Sequence, residues 1–236
     1  MLHPRRSPGL SPPRTGADLS RALLACAPHS TDAATLALAG VLSTRFERHG
    51  LHQLPLPGRN AAATQALLAR WFPGADALLG LDWEALAAAP STEARADEID
   101  DLVALLTAHT HPATGSPIHT PHAPHATHAT HAHAHAEDLA WALAFACLEP
   151  NHLWQDLHLP SRAELSQLMH DWFPTLATRN VAHMKWKKFL YKQLCERENL
   201  FICKSPSCQT CSDHPLCFGP ETAQTTPWTA TSHHDR

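Results

Sequence analysis

Apolar residues recur at helical spacing along this chain, and most of the longer runs stop at a proline or glycine, which restricts the fold to separate helices of moderate length. The run TDAATLALAGVLSTRFERHG from Thr31 closes on Gly50, and Ala61 to Phe72, with Asn60 as N-cap, ends at Pro73-Gly74. In EDLAWALAFACLEP, Leu139, Trp141, Leu143, Phe145 and Leu148 make a helix apolar on more than one side, hence central, and Pro150 stops it. Ser161 and Glu164 form a capping box ahead of Leu165, Leu168, Met169 and Trp172, and Pro174 ends that helix. Shorter helices are expected at Leu19–Ala27 and Trp83–Ala88. A longer one covers Glu93–Thr107, where Ile99, Leu102, Val103 and Leu106 share a face, and the last covers Val181–Glu198. No run of alternating β-branched residues occurs, so the fold class is all-α.

Two tails and one insertion fall outside this pattern. Residues 1–18 and 220–236 read as disordered tails, leaving a helical domain at 19–219. Residues 108–136 switch to His, Thr, Ala and Pro, a composition with little to bury, and are expected to form a flexible linker. Its nine histidines, at 109, 111, 119, 122, 125, 128, 131, 133 and 135, fit repeat expansion in a tolerant loop or a low-specificity sink for divalent metals.

Lys plus Arg number 18 against 22 Asp plus Glu, a formal net charge of -4, so generic nucleic-acid binding is not expected. The chain lacks a secretory h-region and a twenty-residue apolar span, which predicts a cytoplasmic protein without membrane contact. In a reducing compartment its seven cysteines are not a disulfide framework. Cys26 and Cys147 stand in apolar runs as inert packed thiols.

The remaining thiols concentrate near the C-terminus. Residues 199–219 carry Cys203-x4-Cys208-x2-Cys211-x5-Cys217, with Pro206 and Pro215 forbidding a continuous helix. Four thiolates converging on one centre repel one another unless a cation or a cationic cluster offsets their charge, so the arrangement makes sense with a metal bound and is poorly stabilised without one. Zinc suits paired Cys-x2-4-Cys knuckles, of which only Cys208/Cys211 is one; an iron-sulfur cluster suits short unequal spacings from one stretch. Both remain open on spacing, beside redox-active free thiols, for which Cys-x2-Cys lacks its strand-helix context; the alternative function is a zinc-stabilised helical adaptor.

The motif, preceded by HMKWKKFLYKQLCERENLFICKSPSC and followed by FG, resembles the C-terminal signature of the NifQ family of nitrogen-fixation proteins. The similarity continues through PNHLWQDLHLPSRAELSQLM and FPTLATRN, and more loosely through LALAGVLS and ARWFPGAD. The resemblance implies an iron-sulfur molybdoprotein that processes molybdate-derived molybdenum and donates it for nitrogenase iron-molybdenum cofactor biosynthesis, a metallocluster carrier more than a turnover enzyme. It implies Cys203, Cys208, Cys211 and Cys217 as ligands of a 4Fe-4S or Mo-Fe-S cluster. The implied partners are a molybdenum source and the assembly proteins NifE/NifN and NifH.

Lys185, Lys187, Lys188 and Lys192 form either a local positive field for molybdate or an acidic partner, or a solvated helix face. Cys195, His152, His183 and His214 are secondary candidates for metal contact beside roles as packed, capping or exposed residues. The neighbouring acids Asp100/Asp101 and Glu196/Glu198 read as solvated faces, not as a hydrolytic pair. A helix-hairpin-helix DNA-repair enzyme also carries a four-cysteine loop, but its Gly-rich hairpin and basic surface are missing here.

Overall fold

Thr15 starts the first helix through a capping box: its hydroxyl accepts from the Asp18 amide at 3.1 Å, while the Thr15 amide donates to the Asp18 carboxylate at 3.3 Å. The computed structural model describes residues 13–50, 59–88, 96–110, 125–199 and 214–221. In chain order they form α1 (Gly16–Cys26), α2 (Ala33–His49), α3 (Ala61–Trp71), α4 (Ala75–Leu79), α5 (Trp83–Ala88) and α6 (Ala96–Thr107). There follow α7 (His125–Cys147), α8 (Leu153–Asp156), α9 (Arg162–Trp172), α10 (Pro174–Ala177), α11 (Trp186–Arg197) and α12 (His214–Phe218). Among the described residues there is no strand, in agreement with the all-α expectation.

α7 is the axis of the core. Leu139 through Cys147 are all buried, with alanines at 140, 142, 144 and 146 between the large side chains. The small residues let neighbours approach closely, and α2 and α6 lie against this helix. α2 contributes Leu38, Val41 and Leu42, and α6 contributes Ile99, Leu102 and Leu106. α1 lies on α2, α9 packs against α2 and α8, and α11 reaches the core through α6. At Gly40 the partner backbone comes so near that a β-carbon would stand 2.8 Å from the Leu157 carbonyl oxygen and from His158 Cβ. Among the described residues no helix is long and apolar enough to cross a membrane.

Three boundaries differ from the sequence expectation. The N-terminal tail ends earlier than residue 18, because Thr15 caps and the Gly16 amide donates to Glu47 of α2 at 3.1 Å. The expected linker at 108–136 is helical from His125 onward. Pro124 is the last proline of the tract, and beyond it alanine, the strongest helix former, alternates with histidine and threonine, so the helix extends back from the packed segment. The third difference is α11, which begins at Trp186 instead of Val181. The Asn180 carboxamide accepts from the Met184 amide at 2.8 Å and donates to the Met184 carbonyl at 2.9 Å. His183 takes a left-handed φ of 53° in the tight turn this creates.

Candidate metal centre

Cys203, Cys208 and Cys211 lie outside the described residues, so the candidate centre is built from Cys217 outward. Cys217 sits in α12 and is half-buried, packed with Phe218 against the hydrophobic core. Its backbone is tied to the start of α11: the Lys185 amide donates to the Cys217 carbonyl at 2.8 Å. Lys185 Nζ lies 3.4 Å from the Pro215 carbonyl. The Gly219 amide donates to that same Pro215 oxygen at 2.9 Å, closing the last turn of α12, which carries Cys217. A β-carbon at Gly219 would come within 2.4 Å of the Pro215 oxygen, which is why the Phe-Gly after the last cysteine needs its glycine.

The surface on which this turn rests is the Asn180–Lys185 turn. Arg162, the first residue of α9, holds it from behind by donating to the carbonyls of His183 at 2.6 Å and Met184 at 3.2 Å. Beside it opens a cleft of about 380 Å³ whose lining includes Arg179, Val181, Phe189, Lys192 and Phe218. Val181 is 80% exposed there, and Leu216 on the cysteine segment is 63% exposed.

The secondary candidates separate in space. His214 is exposed and stacks on Phe218, ring centroids 4.5 Å apart, so it belongs to the Cys217 turn. His183 is exposed within the turn beneath. His152 instead precedes α8, its amide donating to Gln155 Oε1 at 3.1 Å. Cys195 is half-buried on α11. Cys147 is buried, and desolvation pushes its thiol up to about 12, which keeps it neutral. Asp101 pairs with Arg197 at 3.1 Å and Glu196 with Lys192 at 3.2 Å, while Glu198 meets Arg197 at 3.0 Å, as solvated helix faces do.

The four lysines do not form one field. Lys187 points its ammonium into the protein, bonding Asp156 Oδ2 at 2.6 Å and the Glu149 carbonyl at 2.6 Å. Lys185 is engaged by the cysteine segment, and only Lys188 and Lys192 are exposed. Helical periodicity explains the split: Lys187 faces the α8 corner while its neighbour in sequence turns outward.

Sequence reasoning passed over a second buried charge. Asp138, fully buried in α7, accepts from Arg70 Nε at 2.8 Å and Nη2 at 2.9 Å, from Trp71 Nε1 at 2.9 Å, and pairs with Arg59 Nη1 at 2.7 Å. The hydrogen bond to Asp138 raises the Arg70 pKa and holds the guanidinium charged. An acid beside a continuous apolar run was the available signal. This cluster fastens α3 to α7 and has no part in the cysteine segment.

Among the described residues no three His, Cys, Asp or Glu side chains converge on a common point. What the described part provides is a thiol of the right softness for iron-sulfide chemistry, half-covered and on a backbone held by hydrogen bonds. That fits one corner of a cluster site.

Comparison with known proteins bears on the rest of the chain. The family model described as NifQ matches residues 37–219, from α2 to the glycine that closes the Cys217 turn. Protein NifQ of Azotobacter vinelandii is 53% identical over 83 residues, 35% of this chain and 43% of the relative. The NifQ homolog of Sinorhizobium fredii is 45% identical over 93 residues, 37% of this chain and 40% of its own. Protein NifQ of Klebsiella pneumoniae is 49% identical over 84 residues, 35% of this chain and 50% of the relative. The chain thus spans half or less of the length of these curated relatives. No solved structure matches. Because the family match runs through most of the chain and ends where the cysteine segment ends, this chain belongs to the NifQ family.

Proposed function

We propose that the chain is an iron-sulfur protein that takes up molybdate-derived molybdenum and donates it for nitrogenase iron-molybdenum cofactor biosynthesis. The observation that carries the reading is the Cys203-x4-Cys208-x2-Cys211-x5-Cys217 motif lying inside the NifQ family match. Cys203, Cys208, Cys211 and Cys217 would hold a 4Fe-4S or Mo-Fe-S cluster, which supplies soft sulfur donors for reduced molybdenum. Free molybdate is a hard oxyanion, so its capture requires an exchange of oxygen for sulfur ligands. The molybdenum is cargo, so at least one position around it stays exchangeable.

The surroundings of Cys217 support this role. The α11 N-terminus carries the positive end of a twelve-residue helix dipole, and its cap residue is bonded to the Cys217 carbonyl. A net anionic cluster is favoured beside such an end. The acceptors of molybdenum in this reading are the NifE/NifN scaffold together with NifH.

The test is anaerobic purification of the full chain from cells supplied with iron and molybdate, followed by visible absorption and analysis of iron, acid-labile sulfide, zinc and molybdenum. Brown protein with iron and sulfide, able to pass molybdenum to NifE/NifN in vitro, is the expected result. Colourless protein with one zinc per chain would replace the reading with a zinc-stabilised adaptor.

A further inference from the structure

Arg162 occupies the first position of α9, where the helix dipole disfavours a cation and where Ser161 already caps the Glu164 amide. Its guanidinium serves a different purpose, joining two segments that meet at Cys217. Nη2 donates to the carbonyls of His183 and Met184, at 2.6 and 3.2 Å. Nη1 stands 3.6 Å from Oε1 of Glu221, whose side chain is only 5% exposed. Lys185, next to those carbonyls, holds the Cys217 and Pro215 oxygens, and Glu221 lies just past the Gly219 turn. One planar fork therefore grips both the turn under the thiol and the chain beyond it, a geometry that suits guanidinium better than ammonium.

We propose that Arg162, acting through Glu221, is the positioning residue for Cys217: it sets the place of this thiol before a metal cluster assembles and slows its departure afterwards. The inference rests on the reading of Cys217 as a cluster ligand. Ordering a ligand in advance removes part of the entropy cost of binding, and the covered carboxylate is screened less than a surface one.

The experiment compares the anaerobically purified full chain with Arg162→Met, Arg162→Lys, Glu221→Gln and the double variant R162M/E221Q. Loss of visible absorption to an iron chelator is timed, the reduced cluster's paramagnetic resonance spectrum is recorded, and far-ultraviolet circular dichroism checks folding. R162M and E221Q are expected to bleach about fivefold faster, the factor that roughly 1 kcal/mol of lost pairing produces. Arg162→Lys recovers part of the difference, the resonance shifts in R162M, and the double variant is no worse than R162M. Bleaching and spectra equal to the unsubstituted chain, or additive effects of the two substitutions, would overturn the proposal. If R162M fails to fold, E221Q, which lies outside every helix, decides alone. A chain found to contain no iron and sulfide would remove the proposed function but not this question. In that event Cys217 alkylation by iodoacetamide is measured by peptide mass in the reduced metal-free chain. A rate about fivefold higher in R162M and E221Q supports the clasp, and equal rates overturn it.

Discussion

Replacing Asp138 by asparagine keeps the side chain's shape and withdraws one negative charge from a place that water does not reach. The carboxylate is fully buried and serves Arg70 through two hydrogen bonds, Trp71 through one, and Arg59 at 2.7 Å. Asparagine offers one acceptor oxygen, and its amide nitrogen would face guanidinium donors. Arg59, whose side chain is only 8% exposed, would lose its counter-ion in a space it shares with the Trp141 ring at 5.6 Å. Breaking a buried pair in this way costs about 3–5 kcal/mol, and one surviving neutral hydrogen bond returns about 1 kcal/mol. The expected net loss is about 3 kcal/mol, or roughly 6–12 °C in melting temperature for a chain of this size. Urea unfolding at pH 7, followed by far-ultraviolet circular dichroism, measures it. Arg70→Met alone should cost less, since the Arg59 pair survives. The double variant should lose about 1 kcal/mol less than the sum of the two, because one stranded cation has gone. If D138N unfolds within about 0.5 kcal/mol of the unsubstituted chain, or if the two substitutions add without coupling, the cluster does not hold α3 to α7 as described.

Other consequences are open to direct measurement. The Cys147 thiol ionises near 9.0 in an unfolded chain but at about 12 when buried. It is neutral in both states below pH 9, and above that the unfolded state alone loses its proton. Stability from this group therefore falls as pH rises from about 9 toward 12, and Cys147→Ala should flatten the pH slope of the unfolding free energy from urea titrations between pH 8.5 and 10 by about 1 kcal/mol per pH unit. Gly40→Ala places a methyl 2.8 Å from the Leu157 carbonyl, and the backbone there has no flexible end to yield. A loss of about 1–3 kcal/mol in chemical unfolding is expected, and an unchanged midpoint would contradict the close contact of α2 with the 157–158 turn. Lys187→Met removes the cation from Asp156, which keeps only its Asn151 donor at 2.9 Å, and the donor from the Glu149 carbonyl, and should cost about 2–4 kcal/mol, whereas Lys188→Met on the exposed face should stay within about 0.5 kcal/mol. Equal effects in thermal melts would return the two lysines to a common role.

How far the chain could be read in advance depended on the range of the interaction concerned. Asn60 caps α3 as its neighbours foretell, since a cap is a bond across three residues, and at α9 Ser161 caps the Glu164 amide without the return bond from Glu164 that would complete the expected box. The α7 core was legible because a helix apolar all round has no place but the interior. Boundaries were missed where a local competitor was hard to weigh: the Asn180–Met184 clasp delays α11, and alanines after Pro124 carry α7 back to His125. The cysteine motif was legible from spacing and resemblance, but the surface beneath Cys217 was not, because Arg162, Lys185 and Glu221 approach it from separate stretches.

What the amino-acid order alone determined is therefore the helical class, most caps and stops, and the soft-donor motif at Cys203–Cys217, all of which follow from neighbours within a turn or two. Which buried charges meet was decided only by the tertiary structure. Asp138 finds Arg70 across 68 residues and Lys187 finds Asp156 across 31, and a buried ion's partner is selected by what the packed core brings within 3 Å, not by its place in the chain.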